Sequence, residues 1–210
     1  MPKIRAATVA EHHAQQRLAL VRAARAMLEG GDAEAVTFTA VARATGLARN
    51  SVYKYFPGRP ELLAAVVEDA MPRWTEAIRA GMSAAATPEE KIAAYVSSQL
   101  KLVRSGEHRI AQALAGVRDA TVVRESAARA HRELLTPLIG ALTELGEEDP
   151  RRTALLLQGI VNAATTAIEA GDDDTAVTDR AVRMAVTAIM GRSREVDRGR
   201  LGGPTPSDLD

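Results

Sequence analysis

The sequence predicts an all-α protein in two helical parts, and three observations carry that reading. Alanine, leucine and arginine dominate, with apolar residues at helical spacing throughout. No segment shows the two-residue alternation of a half-buried strand. Capping hydroxyls and carboxylates, first-turn prolines and terminal glycines recur about one helix apart.

Thr8 with Glu11 three residues later reads as a capping box opening a helix over 8–30, which ends at Gly30-Gly31. Two short helices follow, 37–45 and 48–54, on either side of Gly46. A long helix over 59–86 contains Pro72, which is expected to kink or split it. Thr87-Pro88-Glu89-Glu90 opens the helix 88–105 with an N-cap hydroxyl, a proline where no N–H is missed, and acids facing the positive helix end. Helices over 107–116 and 120–145 come next; Asp149-Pro150 then opens 150–170, and the last helix covers 175–190. Gly146, Gly171 and Gly191 stand at C-cap positions. From Gly191 onward the chain is charged, rich in Gly and Pro and nearly free of apolar anchors, so 191–210 is expected to be a disordered tail. The division is a head over 1–58, a body over 59–190 and that tail.

A helical chain of 210 residues buries roughly 70% of its unfolded surface and needs no staple. Cysteine is absent, which excludes disulfides, thiolate metal sites and cysteine nucleophiles and suits a reducing, cytoplasmic setting. No apolar run approaches the ~18 residues of a membrane span, and the first residues lack a signal-type apolar core. Catalysis has no visible address either. The histidines at 12, 13, 108 and 131 lack metal-ligand spacing, and no phosphate-binding glycine string or Gly-x-Ser-x-Gly occurs, so neither an enzyme nor a bound cofactor or metal is expected. Asp172-Asp173-Asp174 lacks the spacing of a calcium loop and reads as a solvated cap.

The formal net charge is zero, yet the charges are segregated. Residues 1–60 hold nine basic and four acidic residues, and the remaining chain holds 18 basic and 23 acidic ones. A basic head on an acidic body suits presentation of one end to phosphates. Within that head, TFTAVARATGLARNSVYKYF (Thr37 to Phe56) has the spacing of a helix-turn-helix. Ala42 is small where two helices cross, Gly46 permits the turn, Val52 is a buried anchor, and Val41 and Leu47 face the first helix. Arg49, Asn50, Ser51, Tyr53 and Lys54 are then left exposed. At the helix N-terminus Arg49 and Asn50 would read bases, while Lys54, Tyr53 and Tyr55 would bond phosphates. Thr37, Thr39 and Arg59 are further phosphate candidates. The alternative is that the same pattern is only packing, with Tyr55 and Phe56 in the core.

From about Leu20 to Leu63 the chain resembles the DNA-binding region of TetR-family (tetracycline-repressor-like) regulators. The match runs through Ala23-Ala24, Thr37, Val41-Ala42, Gly46-Leu47, Tyr53-Lys54-Tyr55-Phe56 and Arg59-Pro60-Glu61-Leu62-Leu63. It departs at Val36, Ala33, Ala48 and Pro60; the missing cap at Ala48 is expected to cost ~1 kcal/mol unless Asn50 or Ser51 compensates. The resemblance implies an N-terminal three-helix DNA-binding domain and a C-terminal helical domain for ligand binding and dimerisation. It also implies a homodimer on a palindromic DNA operator, released by a small-molecule effector.

Independently, helix 150–170 offers an apolar stripe of Leu155, Leu156, Ile160, Ala163, Ala167 and Ile168. Helix 175–190 offers Val177, Ala181, Val182, Ala185, Val186 and Ile189. These could pair with their symmetry mates in a four-helix interface or form internal core. Effector-pocket candidates are Met71, Trp74, Met82, Tyr95, Gln99, Val103, His108, Gln112, His131, Leu134, Leu138 and Asn162. Of these, Trp74, Met82, Tyr95, Gln99, Gln112, His131 and Asn162 are the main choices, and their character suggests an apolar or amphipathic effector. A helical adaptor or ligand-binding protein without DNA activity is the competing class, and it leaves the basic head unexplained.

Overall fold

The computed structural model describes the backbone of residues 3–104, 110, 113–114 and 121–201, and the side chains of 8–104, 110, 113–114 and 121–190. Among the described residues the fold is all-α, with no strand. The elements are α1 (Lys3–Leu28), a 3₁₀ turn (Ala33–Ala35), α2 (Phe38–Thr45), α3 (Arg49–Val52), α4 (Arg59–Ser83), α5 (Pro88–Arg104), α6 (Thr121–Glu144), α7 (Pro150–Glu169) and α8 (Asp174–Leu201). The expected helix 107–116, with His108 and Gln112, lies largely outside the described residues.

The cap signals produce the boundaries. Thr37 Oγ1 accepts from the Ala40 N–H at 3.1 Å and starts α2. Before α5 the capping box is reciprocal: Glu90 N–H donates to Thr87 Oγ1, and Thr87 N–H donates to Glu90 Oε2, each at 3.2 Å. Asp149 Oδ1 accepts from Arg152 N–H at 3.1 Å ahead of Pro150.

Three expectations are corrected. α1 starts at Lys3 rather than Thr8, because nothing in the preceding residues stops a helix. α4 is not split at Pro72. That residue lies on an exposed face, where the carbonyl of equally exposed Glu68 can face water in place of its lost partner. α8 continues through Gly191 and Gly199 to Leu201, past the expected helix end at 190, since each glycine costs a helix only about 1 kcal/mol. Residues 202–210 lie outside the described residues.

The chain forms two compact units. The first comprises Met1–Ala77 and Lys101–Thr136, and the second Ile78–Leu100 and Pro137–Asp210. The first half of α4 shares the core of α1–α3. That core joins Leu20, Ala24 and Leu28 of α1 to Val41 and Ala42 of α2, Val52 of α3, Phe56, and Leu62, Leu63 and Val66 of α4. Repeats of three and four residues put these side chains on one helix face.

In the second unit α7 packs against α8. Ala154, Leu157, Val161 and Ala164 of α7 are buried, as are Ala181, Ala185 and Ile189 of α8. Part of the expected interface stripe on α8 is therefore internal core: Ala181, Ala185 and Ile189 face inward, while Val177, Val182 and Val186 are half-buried. On α7, Leu155, Leu156 and Ala163 are exposed, and Ile160, Ala167 and Ile168 are half-buried.

Candidate functional site

The turn between α2 and α3 sets the site's geometry. Gly46 adopts φ 70°, a left-handed conformation that side chains with a Cβ rarely take. Its neighbour Leu47 donates to Ala42 O at 2.9 Å, and Gly46 itself donates to Arg43 O at 3.4 Å. This double closure is a Schellman motif, which ends α2 and swings the chain into α3. No side chain caps α3 at Ala48, as its residue type dictates. α3 is a single turn, shorter than the expected 48–54. The hydrogen-bonded turns continue to Phe56, whose N–H donates to Val52 O at 3.1 Å.

Val52 and Phe56 face the core and Tyr55 packs partly against it, which leaves Tyr53 and Lys54 on the outer side. Arg49, Asn50, Tyr53 and Lys54 are exposed, Ser51 and Tyr55 half-buried, and Thr37 and Thr39 exposed at the start of α2. Arg49 Nη2 lies 3.4 Å from Tyr53 Oη, with the guanidinium carbon 5.9 Å from the ring centroid. The Tyr53 ring sits edge-on to Phe38 at 4.9 Å. Tyr55 stacks with His13 of α1 at 4.6 Å, and the Arg17 guanidinium lies 5.0 Å from the Phe56 ring. Phe38 thus supports Tyr53 of the exposed row, while His13 and Arg17 of α1 hold the neighbouring Tyr55 and Phe56, contacts the sequence reading missed. A long-range ring contact leaves no spacing signal.

Arg59 is placed differently from expectation. Its Nε donates to Val36 O at 2.8 Å, its Nη2 donates to Ala33 O, and it pairs with Glu34 at 3.1 Å.

The effector candidates fall in both units. Trp74 packs against the core of the first unit, where His131 is exposed and lines no interior. His131 follows buried Ala130 and precedes buried Leu135, so the helical repeat turns it to solvent. Met82, Tyr95, Gln99 and Asn162 belong to the second unit, with Met82 and Tyr95 buried. Three of them meet at Gln158, which the sequence reading did not select. Gln158 Oε1 accepts from Tyr95 Oη at 2.9 Å and from Gln99 Nε2 at 2.8 Å, and its Nε2 donates to Asn162 Oδ1 at 3.1 Å. A lone glutamine within Leu155-Leu156-Leu157-Gln158-Gly159-Ile160 was the available signal. Gln112 lies outside the described residues.

Burial pushes the Tyr95 phenol well above its ordinary value, a shift that the Gln99 side chain partly opposes. An unfolded tyrosine releases its proton near pH 10, whereas the folded one holds it longer. This contribution to stability is therefore whole below about pH 10 and falls as pH rises further. Urea midpoints at pH 9 and pH 11 are expected to drop more for the wild type than for Tyr95→Phe. Parallel drops would contradict the burial of this phenol.

Among the described residues no helix is long and apolar enough to cross a membrane, and no group of three or more His, Cys, Asp or Glu gathers to hold a metal. Residues 20–66 match the family model of bacterial regulatory proteins of the tetR family. No curated protein matches the chain in sequence. Solved structures share its fold. FadR from Bacillus subtilis, in complex with stearoyl-CoA, is 21% identical with a TM-score of 0.68, covering 81% of this chain and 97% of its own. A Rhodococcus sp. protein assigned to the TetR family of transcriptional regulators is 15% identical with a TM-score of 0.71, covering 84% and 99%. RolR in complex with resorcinol is 21% identical with a TM-score of 0.60, covering 86% and 94%. The TetR-family resemblance is thus borne out over residues 20–66, which match that family's model, and the solved structures share the fold of the chain.

Proposed function

We propose that this chain is a ligand-responsive transcriptional regulator, most simply a repressor, that binds a palindromic DNA operator as a homodimer and releases it when a small effector binds. The observation that carries this reading is the outward row of Arg49, Asn50, Tyr53 and Lys54 on a turn whose inner face is sealed by Val52 and Phe56. Arg49 and Asn50, at the start of α3, are the proposed base readers, because guanidinium and amide groups fork onto guanine and adenine edges in the major groove. Ser51, Tyr53, Lys54, Thr37 and Thr39 are the proposed phosphate and register contacts. Tyr55, held by His13, positions more than it contacts.

The effector proposal rests on the second unit. Tyr95, Gln99 and Asn162 converge on Gln158 beside apolar residues, which supports a mostly apolar ligand with one polar end. FadR in complex with stearoyl-CoA and RolR in complex with resorcinol share this fold, and each ligand combines an apolar part with polar groups. Linkage then requires the effector to weaken operator binding by the factor that DNA weakens effector binding.

The test is titration with duplex DNA, using a site obtained by genomic footprinting with the purified protein. Binding is expected to weaken at least about tenfold between 50 and 200 mM salt. Lys54→Ala is expected to weaken binding evenly across sequences. Arg49→Ala and Asn50→Ala are expected to cost about 1–3 kcal/mol and to relax discrimination at particular base pairs. Equal binding of duplexes of any sequence by wild type and variants would favour the competing reading, a helical ligand-binding or adaptor protein.

A further inference from the structure

We propose that Arg59 is a strut that sets the position of the DNA-reading segment and is not a phosphate contact; this rests on the DNA-binding function proposed above. Arg59 is the first residue of α4, and its side chain reaches back to the turn that precedes α2. Nε donates to the carbonyl of Val36 at 2.8 Å and Nη2 to that of Ala33, while Nη2 also meets Glu34 at 3.1 Å. Those two carbonyls belong to one short link, the 3₁₀ turn Ala33–Ala35 and its C-cap Val36. The next residue, Thr37, is the N-cap of α2.

The partners differ in weight. Glu34 has a side chain 82% exposed, so its ion pair is wet and contributes little. The Arg59 side chain is only 28% exposed, and the Val36 it holds is fully buried. The two carbonyl bonds therefore carry the strut. Only a planar guanidinium supplies donors on separate nitrogens in a fixed fork, so it can hold both carbonyls at once. From Thr37 the constraint passes along α2 to the Gly46 turn and into α3, because the Leu47-to-Ala42 bond and buried Val41, Ala42 and Val52 join these elements. Wherever the first turn of α4 goes, the start of α2 is held to follow.

Arg59→Lys separates the two roles, since lysine keeps the charge but loses the fork. Two measurements apply: amide hydrogen exchange of the protein without DNA, and anisotropy titration of footprinted duplex at several salt concentrations. In the lysine variant, exchange at Ala40 and Val41, whose N–H groups bond Thr37, is expected to quicken by about fivefold or more. DNA affinity is expected to fall by about tenfold, with an unchanged slope of log affinity against log salt. Glu34→Gln, which leaves both carbonyl bonds, is expected to stay near wild type in both.

Wild-type exchange at Ala40 and Val41 in Arg59→Lys would overturn the strut. So would full DNA affinity in Arg59→Lys together with a slope about one unit shallower in Arg59→Ala, the signature of a lost phosphate contact. If the wild type binds no duplex at all, the DNA reading fails on its own account, and the exchange rates still decide whether Arg59 holds α2.

Discussion

Phe56→Ala is expected to lower the free energy of unfolding by about 3–5 kcal/mol. Phe56 is 2% exposed and belongs to the core that contains Leu20, Val41, Val52 and Leu62. It is also where the chain turns inward after the exposed Tyr53 and Lys54, and the Arg17 guanidinium lies 5.0 Å from its ring. Truncation leaves a cavity beneath the reading segment and removes the ring that Arg17 faces. Two controls separate these effects. Phe56→Leu keeps most of the apolar volume and is expected to cost under about 1.5 kcal/mol. Arg17→Ala removes the cation from the ring and is expected to cost about 0.5–1 kcal/mol. Urea unfolding followed by Trp74 fluorescence measures all three, since Trp74 is the single tryptophan and packs against the same core. A wild-type midpoint for the alanine variant would remove Phe56 as the anchor.

What was legible in the sequence was local. The capping oxygens of Thr37, Thr87 and Asp149 act within three residues, so their effect could be read directly and the helices begin where they were expected. Gly46 was legible for the same reason, because a left-handed turn between short helices leaves few residues to choose from. Thr8 misled because its capping pattern also fits inside a helix, and only a stop before it would have made it a start.

Contacts distant in sequence were not legible. The bonds from Arg59 to Val36 and Ala33 cross 23 and 26 positions, and the bond from Tyr95 to Gln158 crosses 63. Its place at the start of a long helix made Arg59 a phosphate candidate, and nothing in the sequence spacing pointed to the bonds that its Nε and Nη2 make to Val36 and Ala33. The stripes of α7 and α8 were ambiguous for a different reason: periodicity says which residues share a face and not what covers it. In the structure Ala185 faces inward and Leu156 outward, which periodicity had no means to distinguish.

Leu156→Glu is expected to turn the proposed dimer into a monomer and to weaken operator binding by about 100-fold or more. Leu156 is 68% exposed, Leu155 56% and Met184 53%, an unusual amount of large apolar side chain on neighbouring helices of one unit. Burying each leucine is worth roughly 1.5–3 kcal/mol, and a two-fold interface counts every residue twice. Gly159, one turn after Leu155, has nothing within 4 Å of a would-be Cβ, so a partner helix can approach closely there. A glutamate at 156 would place one carboxylate from each copy in that contact, unpaired and desolvated. In the separated chain the same glutamate faces water, so helicity by circular dichroism should be unchanged while sedimentation shows half the mass. Ala185→Glu should behave oppositely: Ala185 is fully buried in the unit where α7 packs on α8, so a charge there unfolds the unit instead of dissociating it. Loss of the proposed dimer lowers DNA affinity because a single chain offers one recognition segment, and two segments about 34–36 Å apart are needed to read both half-sites at once. A Leu156→Glu protein that remains a dimer at micromolar concentration would move the interface elsewhere on the chain.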